Sequence, residues 1–589
     1  MNRIRCVALL CLFLTNYCRA QQSGFQKTTA VDSAIIARQD RDRRYNIQNV
    51  LIKTKDGASI AAIVVRLKGV TAPQPVVLQY TIYADSTVWK SILEPAVHGY
   101  IGVMAYSRGK GLSPDKIVPY EHDGRDANDV IDWISKQSWC NGKIGMYGGS
   151  YNGFTQWAAV KYHHPALKTI VPYVAAIPGL GVPMENNVFI NANYGWAFYV
   201  TGNKYLDEKV YHDPQRWHNM NDRWFESGKP YRKIDSIDGT PNPSLQRWLQ
   251  HPSFDKFWQD QVPYQADFAK INIPVLSVTG YYDDGQISAM HYLQEHLKYN
   301  SKANHYLIIG PYDHFGAQRG GIPVLRDYPV DPIAIISTRN ITFQWFDYIL
   351  KGGKKPAILQ DKVNFEVMGA NKWEHTSSIE KMASTTLNLY LSNKKVGEYY
   401  ELSLDKPSEP GAITQEVDLA DRKISNNNNY YPFPIIKKEL DHSTGLFFMS
   451  KPFDEPVEVN GMFGGILKAS INKKDMDIGV SLFEVMPNGE YFDLSYFLGR
   501  ASYAEDMSVR KLLHPGKIET IPFYRTRMVS RQLSKGSRLL VVLDINKNSF
   551  AQVNYGTGKD VSDEDINDAK EPLKIKWYNN SFIKVPVKQ

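Results

Sequence analysis

Lys143-Ile144-Gly145-Met146-Tyr147-Gly148-Gly149-Ser150-Tyr151-Asn152-Gly153-Phe154 is the stretch on which the reading of this chain turns. A short apolar run enters a glycine-dense turn with a serine at its tip, and Trp157, Ala158, Ala159 and Val160 continue as a helical stretch. Strand, sharp turn and helix in that order make a nucleophile elbow. The strained turn lifts the hydroxyl above the sheet, and small flanking residues let strand and helix close around it. The usual Gly-x-Ser-x-Gly spacing is altered, because the trailing glycine is Gly153 and Asn152 stands in its place. A serine in a glycine turn without such flanks reads as a loop; here the context singles out Ser150 as nucleophile.

A serine hydroxyl is a poor nucleophile without a base and an oriented partner for that base. Behind an elbow they follow in the order Ser, Asp, His at the ends of later strands. The run 275–278 ends in Gly280-Tyr281-Tyr282-Asp283-Asp284, and the run 306–309 ends in Gly310-Pro311-Tyr312-Asp313-His314. His314 is the expected general base and Asp283 its orienting acid. Asp284 competes for the acid role, and Asp313 reads as a turn residue. His163, His164, His291 and His296 lie in helical stretches and lack a strand-end setting. An oxyanion hole needs two preorganised donors. One would be the backbone N–H of Tyr151. The other would come from the loop after the early strand at 76–79, where Tyr80 and Tyr83 both offer a phenol and spacing does not separate them.

Working outward, short and nearly continuous apolar runs recur at 75–78, 101–105, 144–147, 274–278 and 306–309. They suit strands buried on both faces of a parallel sheet. Helical periodicity at 126–134 and 287–297 alternates with them, so the fold class is α/β. Upstream, 50–54 and 60–66 flank the turn Lys55-Asp56-Gly57 and predict a β-hairpin. From about 183 to 262 the rhythm breaks into a stretch rich in aromatics, including Trp196, Trp217, Trp224, Trp248 and Trp258. It reads as an inserted helical cap whose aromatics either line a pocket, form their own core, or do both. A linker at 351–356 follows a helix ending near Leu350. Beyond it, short strands such as 387–391 and 539–543 separated by polar turns suit a β-sandwich. Asn426 to Asn429 reads as a loop.

The chain has 589 residues, 43% hydrophobic and 22% charged, which excludes a wholly disordered or fibrous protein. Its formal charge of +8 is scattered with no basic block, so nucleic-acid binding finds no support. The first twenty residues read as an export signal: Arg3 and Arg5, an apolar run at 7–14, and Cys18-Arg19-Ala20 before a cleavage site. The run is too short to span a bilayer, and a lipoprotein reading through Cys18 ranks second. Cleavage would remove three of the four cysteines, leaving Cys140 and no internal disulfide, and three arginines, lowering the net charge to +5.

These segments resemble the CocE/NonD family of serine hydrolases, relatives of the Xaa-Pro dipeptidyl peptidases that include cocaine esterase, α-amino-acid ester hydrolases and glutaryl-cephalosporin acylases. The signatures are Trp139-Cys140-Asn141-Gly142-Lys143-Ile144-Gly145-Met146 leading into Gly148-Gly149-Ser150-Tyr151-Asn152-Gly153, then Gly280-Tyr281-Tyr282-Asp283 and Gly310-Pro311-Tyr312-Asp313-His314. The resemblance implies an α/β-hydrolase domain at 21–182 and 266–352, a helical cap at 183–265 and a C-terminal jelly-roll β-sandwich at 357–589. It implies the triad Ser150, Asp283 and His314. It also selects Tyr83 over Tyr80 as the hydroxyl that completes the oxyanion hole with Tyr151. Neither cofactor nor metal is implied.

Three departures stand out. The family's Asp-x-Arg-Gly is Tyr106-Ser107-Arg108-Gly109 here, and the tryptophans of the acid and base motifs are Tyr281 and Tyr312. The carboxylate cluster that holds a substrate ammonium group is missing. Two of the positions it has in α-amino-ester hydrolases, just after the triad acid, correspond to Gly285 and Gln286; Glu185 and Asp284 are the candidates to compensate, and a charged α-amino substrate is disfavoured. The expected function is therefore an exported serine acyl hydrolase acting on a small ester or amide. Xaa-Pro dipeptidyl-peptidase-like activity and acyl transfer are the alternatives within the class. A carbohydrate- or peptide-binding protein with a degenerate hydrolase core is the alternative outside it. No His-Glu-x-x-His or similar ligand spacing supports a metal-dependent hydrolase. A homo-oligomer is left open.

Overall fold

The computed structural model describes residues 38–85 and 89–588, so the expected signal at 1–20 lies outside the described residues. Strands β1 (Tyr45–Lys53) and β2 (Ser59–Leu67) form the hairpin, with Lys53 opposite Ser59 and Gly57 in the left-handed region at φ 90°. Then follow β3 (Gln74–Thr81), β4 (Ile101–Tyr106), β5 (Cys140–Gly149), β6 (Leu167–Tyr173), β7 (Val275–Tyr282), β8 (His305–Asp313), β9 (Val363–Val367) and β10 (Lys372–Thr376). They make one ten-stranded sheet in the order β1-β2-β4-β3-β5-β6-β7-β8-β9-β10. From β4 to β9 along this order, every pairing is parallel.

Every residue of β4 and of β7 is buried, because helices cover both faces. Those helices include α1 (Trp89–Val97), α2 (Asp123–Ser135), α3 (Tyr151–Val160), α6 (Gln286–Tyr299) and α7 (Thr338–Lys351). Successive β5 side chains feed different cores. Met146 belongs to the core that also holds Phe154, Trp157 and Val130, while Tyr147 belongs to a second one with Val278, Ile308 and Phe346. Between β6 and β7 lies the cap, whose main helices are α4 (Ala192–Thr201) and α5 (Pro214–Ser227). Its Tyr194, Trp224, Trp248 and Trp258 are nearly fully buried, so most of the aromatics form a core. From Thr385–Val396 onward the chain builds a largely antiparallel fourteen-stranded β assembly. The mixed α/β class, with a C-terminal β-rich domain, is the fold class expected from the sequence. Among the described residues no helix is long and apolar enough to cross a membrane.

Two features differ from expectation. Strand β6 has no counterpart among the apolar runs, because Lys168, Thr169 and Pro172 interrupt it. Strands β9 and β10 lie beyond the 351–356 linker yet extend the first sheet, with Val363 opposite Leu307. All five β9 side chains are buried, so this strand completes the core beside β8 rather than opening the β-sandwich.

Candidate active site

Ser150 stands between β5 and α3 with φ 60° and ψ −120°, a strained conformation for a residue with a side chain. Its N–H donates to Tyr173 O at 3.1 Å, which ties the turn to β6. The altered glycine spacing has a steric explanation. A Cβ on Gly148 would lie 2.7 Å from the Cβ of Asn152, so this glycine makes room for asparagine at the position usually kept small. A Cβ on Gly153 would lie 2.6 Å from Ala175 Cα, so the displaced glycine lets α3 approach the chain after β6.

The acid and base meet at the C-terminal ends of neighbouring parallel strands. His314 Nδ1 and Asp283 Oδ1 are 2.8 Å apart. Asp283 is buried, and it also accepts from Thr279 Oγ1 at 2.8 Å and the Gly285 N–H at 3.1 Å. With Nδ1–H donating to the carboxylate, Nε2 is left as the basic nitrogen. Burial lowers the basicity of His314, but Asp283, Asp284 and Asp313 outweigh it, and the net shift is upward from the ordinary value. Asp284 is not the orienting acid. It points outward, bonded by Tyr431 Oη at 2.8 Å and Arg326 Nη2 at 3.3 Å. Asp313 caps its own turn by accepting from Phe315 and Gly316 N–H at 3.1 and 2.7 Å.

Ser150 Oγ forms no hydrogen bond to His314; it accepts from Tyr83 Oη, 3.5 Å away. Base and elbow are nevertheless adjacent. A Cβ on Gly149 would strike the side chain of Gln318, whose Nε2 donates to His314 O at 2.8 Å. A single glutamine thus bridges the elbow and the base turn.

Tyr83 and Tyr80 are separated by the structure. Tyr80 is fully buried and its hydroxyl has no partner, whereas the Tyr83 hydroxyl faces Ser150. Burial raises the Tyr83 pKa, opposed by contacts with Ser150, Trp196 and the Tyr151 backbone N–H, so it remains a protonated donor. The Tyr151 ring is clamped. Its hydroxyl donates to Asp123 Oδ2 at 2.6 Å and accepts from the Tyr120 N–H at 2.8 Å. Asp123 also accepts from Ser107 Oγ at 2.6 Å, and burial pushes its pKa up to about 6. Beside it, Asp126 and Asp56 hold Arg108 at 2.6 and 2.8 Å, so the altered Tyr-Ser-Arg-Gly segment keeps its arginine paired. A wall of phenols follows: the Tyr83 and Tyr199 rings are 6.3 Å apart, and Tyr199 stacks on Tyr211 at 4.4 Å.

Glu185 does not replace the missing ammonium-binding cluster. Its carboxylate is paired with Arg527 of the β-rich domain at 2.8 and 3.0 Å, and both side chains are nearly fully buried. Arg527 also donates to Asp284 O at 2.9 Å, and the neighbouring Met528 N–H donates to Gln286 Oε1 at 2.6 Å. The β-rich domain therefore braces the turn that carries Asp283. The contacts of Arg527, Asp123 and Trp196 were not legible in the sequence, since each finds its partner far away in the chain. Among the described residues no group of three or more His, Cys, Asp or Glu is arranged to hold a metal ion.

Comparison with known proteins agrees with this architecture. The X-Pro dipeptidyl-peptidase (S15 family) profile matches residues 56–316, and the X-Pro dipeptidyl-peptidase C-terminal non-catalytic domain matches 359–571. Cocaine esterase of Rhodococcus sp. (strain MB1 Bresler) is 25% identical over 558 residues, covering 89% of this chain and 95% of that protein. An α-amino acid ester hydrolase structure superposes with TM-score 0.76 at 21% identity, covering 92% of this chain and 97% of the other. A CocE/NonD family hydrolase from Staphylococcus aureus superposes with TM-score 0.64 at 16% identity, covering 92% and 93% of the two chains.

Proposed function

From the premise that this chain belongs to the CocE/NonD serine hydrolases of the X-Pro dipeptidyl-peptidase superfamily, we propose that it is an exported acyl hydrolase. It cleaves a small ester or amide through an acyl-enzyme on Ser150. The observation that supports this most is the 2.8 Å contact of His314 with buried Asp283, one glutamine away from the strained Ser150 elbow. The export signal read at 1–20 supports the location.

In this mechanism His314 Nε2 takes the proton of Ser150 as Oγ attacks the carbonyl carbon. Asp283 keeps the imidazole in the required tautomer and stabilises the imidazolium. The negative charge that develops on the carbonyl oxygen is met by the Tyr83 hydroxyl and the Tyr151 N–H. The imidazolium then returns its proton to the leaving alkoxide or amine. Water, deprotonated by the same nitrogen, attacks the acyl-enzyme and releases the acid. The phenol wall of Tyr83, Tyr199 and Tyr211 favours an apolar acyl group. Glu185 is neutralised by Arg527, and Asp284 is held by Arg326 and Tyr431, so a charged α-amino group finds no free carboxylate among these two.

A hydrolysis screen tests the reading. It pairs p-nitrophenyl esters of graded acyl length with glutaryl- and aminoacyl-amides, using Ser150→Ala as the blank. Turnover of uncharged acyl substrates above that blank is expected. Preference for aminoacyl substrates, or equal rates in the blank, would contradict it.

A further inference from the structure

The side chain that joins the cap to the chemistry is Trp196. It lies on α4, and its Nε1–H donates to Tyr83 Oη at 3.2 Å, across 113 residues of sequence. Its ring is held in an aromatic stack: 5.7 Å from Tyr120 at 22°, 6.4 Å from Trp248 at 33°, and 5.8 Å from Tyr151 at 31°. One side chain therefore touches both tyrosines assigned to the oxyanion hole, donating to the oxygen of one and packing on the ring of the other. The end of its helix is fixed as well. Buried Lys110, from the hydrolase domain, donates through Nζ to the carbonyls of Val200, Asn203 and Tyr205 at 2.9, 3.0 and 3.2 Å.

We propose that Trp196 is a positioning residue of the oxyanion hole, through which the cap aims the Tyr83 hydroxyl at the reacting carbonyl. The proposal rests on the reading of Tyr83 as an oxyanion donor. An indole N–H can only donate, whereas a phenol oxygen both donates and accepts. Trp196, like the Tyr151 N–H, thus donates to Tyr83 Oη and leaves the single phenol hydrogen to point toward Ser150, the contact that can accept it. A phenol that accepts one hydrogen bond is also a stronger donor in the next, since linked hydrogen bonds polarise one another. A core role alone needs the flat ring but not the N–H. The N–H leaves the ring stack and meets the one phenol that faces the nucleophile.

The test is a double-mutant cycle of Trp196→Phe and Tyr83→Phe on a p-nitrophenyl ester, with kcat expressed per active site titrated by a fluorophosphonate. Titration confines the comparison to folded chains, and phenylalanine keeps a ring in the stack. Trp196→Phe is expected to lower kcat about five- to tenfold with KM little changed, the range for loss of one neutral hydrogen bond. In the Tyr83→Phe background it should add less than about twofold. Equal cost in both backgrounds, or no cost in the parent, overturns the inference and leaves the oxyanion assignment standing. A Tyr83→Phe enzyme with normal kcat overturns both together.

Discussion

Arg527 and Glu185 lie 342 residues apart in sequence and meet through two hydrogen bonds of 2.8 and 3.0 Å inside the protein. The pair joins the β-rich domain to the segment entering the cap, and Arg527 continues onto the carbonyl of Asp284, next to Asp283. The second domain therefore holds the turn that carries Asp283.

The first prediction follows from that burial. Arg527→Met leaves Glu185 charged and unpaired, which costs about 3–5 kcal/mol for a broken buried pair. Arg527→Met combined with Glu185→Met restores much of the loss, because no lone charge remains. Urea unfolding of the three proteins checks it. A single mutant within about 1 kcal/mol of the parent would refute the assignment of a dry, paired site.

In the proposed mechanism His314 is neutral when it accepts the serine proton, and its carboxylate surroundings raise its pKa above the ordinary 6.5. The plot of kcat/KM against pH should therefore fall on the acid side with an apparent pKa above that value. Asp283→Asn moves the limb to lower pH and slows turnover by a factor on the order of 10⁴, as loss of the orienting acid does in triads. Asp284→Asn moves the limb down by less. An acid limb that stays at the same pH in both variants would contradict this electrostatic picture.

Asp123 gives a prediction for stability. Burial raises its carboxyl from 3.8 to about 6 in the folded protein. The folded state thus holds this proton more tightly than the unfolded chain, and the stability it contributes is complete below about 3.8 and lost as pH rises through about 6. Asp123→Asn cannot ionise. Its urea midpoint should change less between about pH 4.5 and 7 than that of the parent, and an identical pH dependence would refute the shift. If the Tyr151 N–H serves the proposed oxyanion hole, the variant also loses activity, since Asp123 holds the Tyr151 ring.

The parts of the site that were legible in sequence are those built from one strand and the turn that ends it. The Ser150 elbow, the Gly280 to Asp283 turn and the Gly310 to His314 turn each carry an apolar run, a glycine and a functional residue within a few positions. Tyr80 and Tyr83 could not be separated that way, because the choice depends on which phenol faces α3. Trp196 looked like any other aromatic of the cap, since an indole's single donor is informative only once its acceptor is known. Arg527 was hidden among strands of a separate domain. In the fold, the long apolar strands were evident. Strand β6 was not, because a parallel strand broken by Lys168 and Pro172 loses its continuous apolar signal. Strands β9 and β10 followed a glycine-rich linker that reads as a domain boundary, and only their pairing with β8 returns them to the first sheet.

The central claim is that Ser150 forms a covalent acyl intermediate with His314 as its base. The most direct measurement is intact-mass and peptide analysis after reaction with a fluorophosphonate. One adduct per chain should appear, located on Ser150, absent from Ser150→Ala and formed far more slowly in His314→Ala. An adduct on another residue, or labelling of Ser150 at the parental rate without His314, would contradict the account.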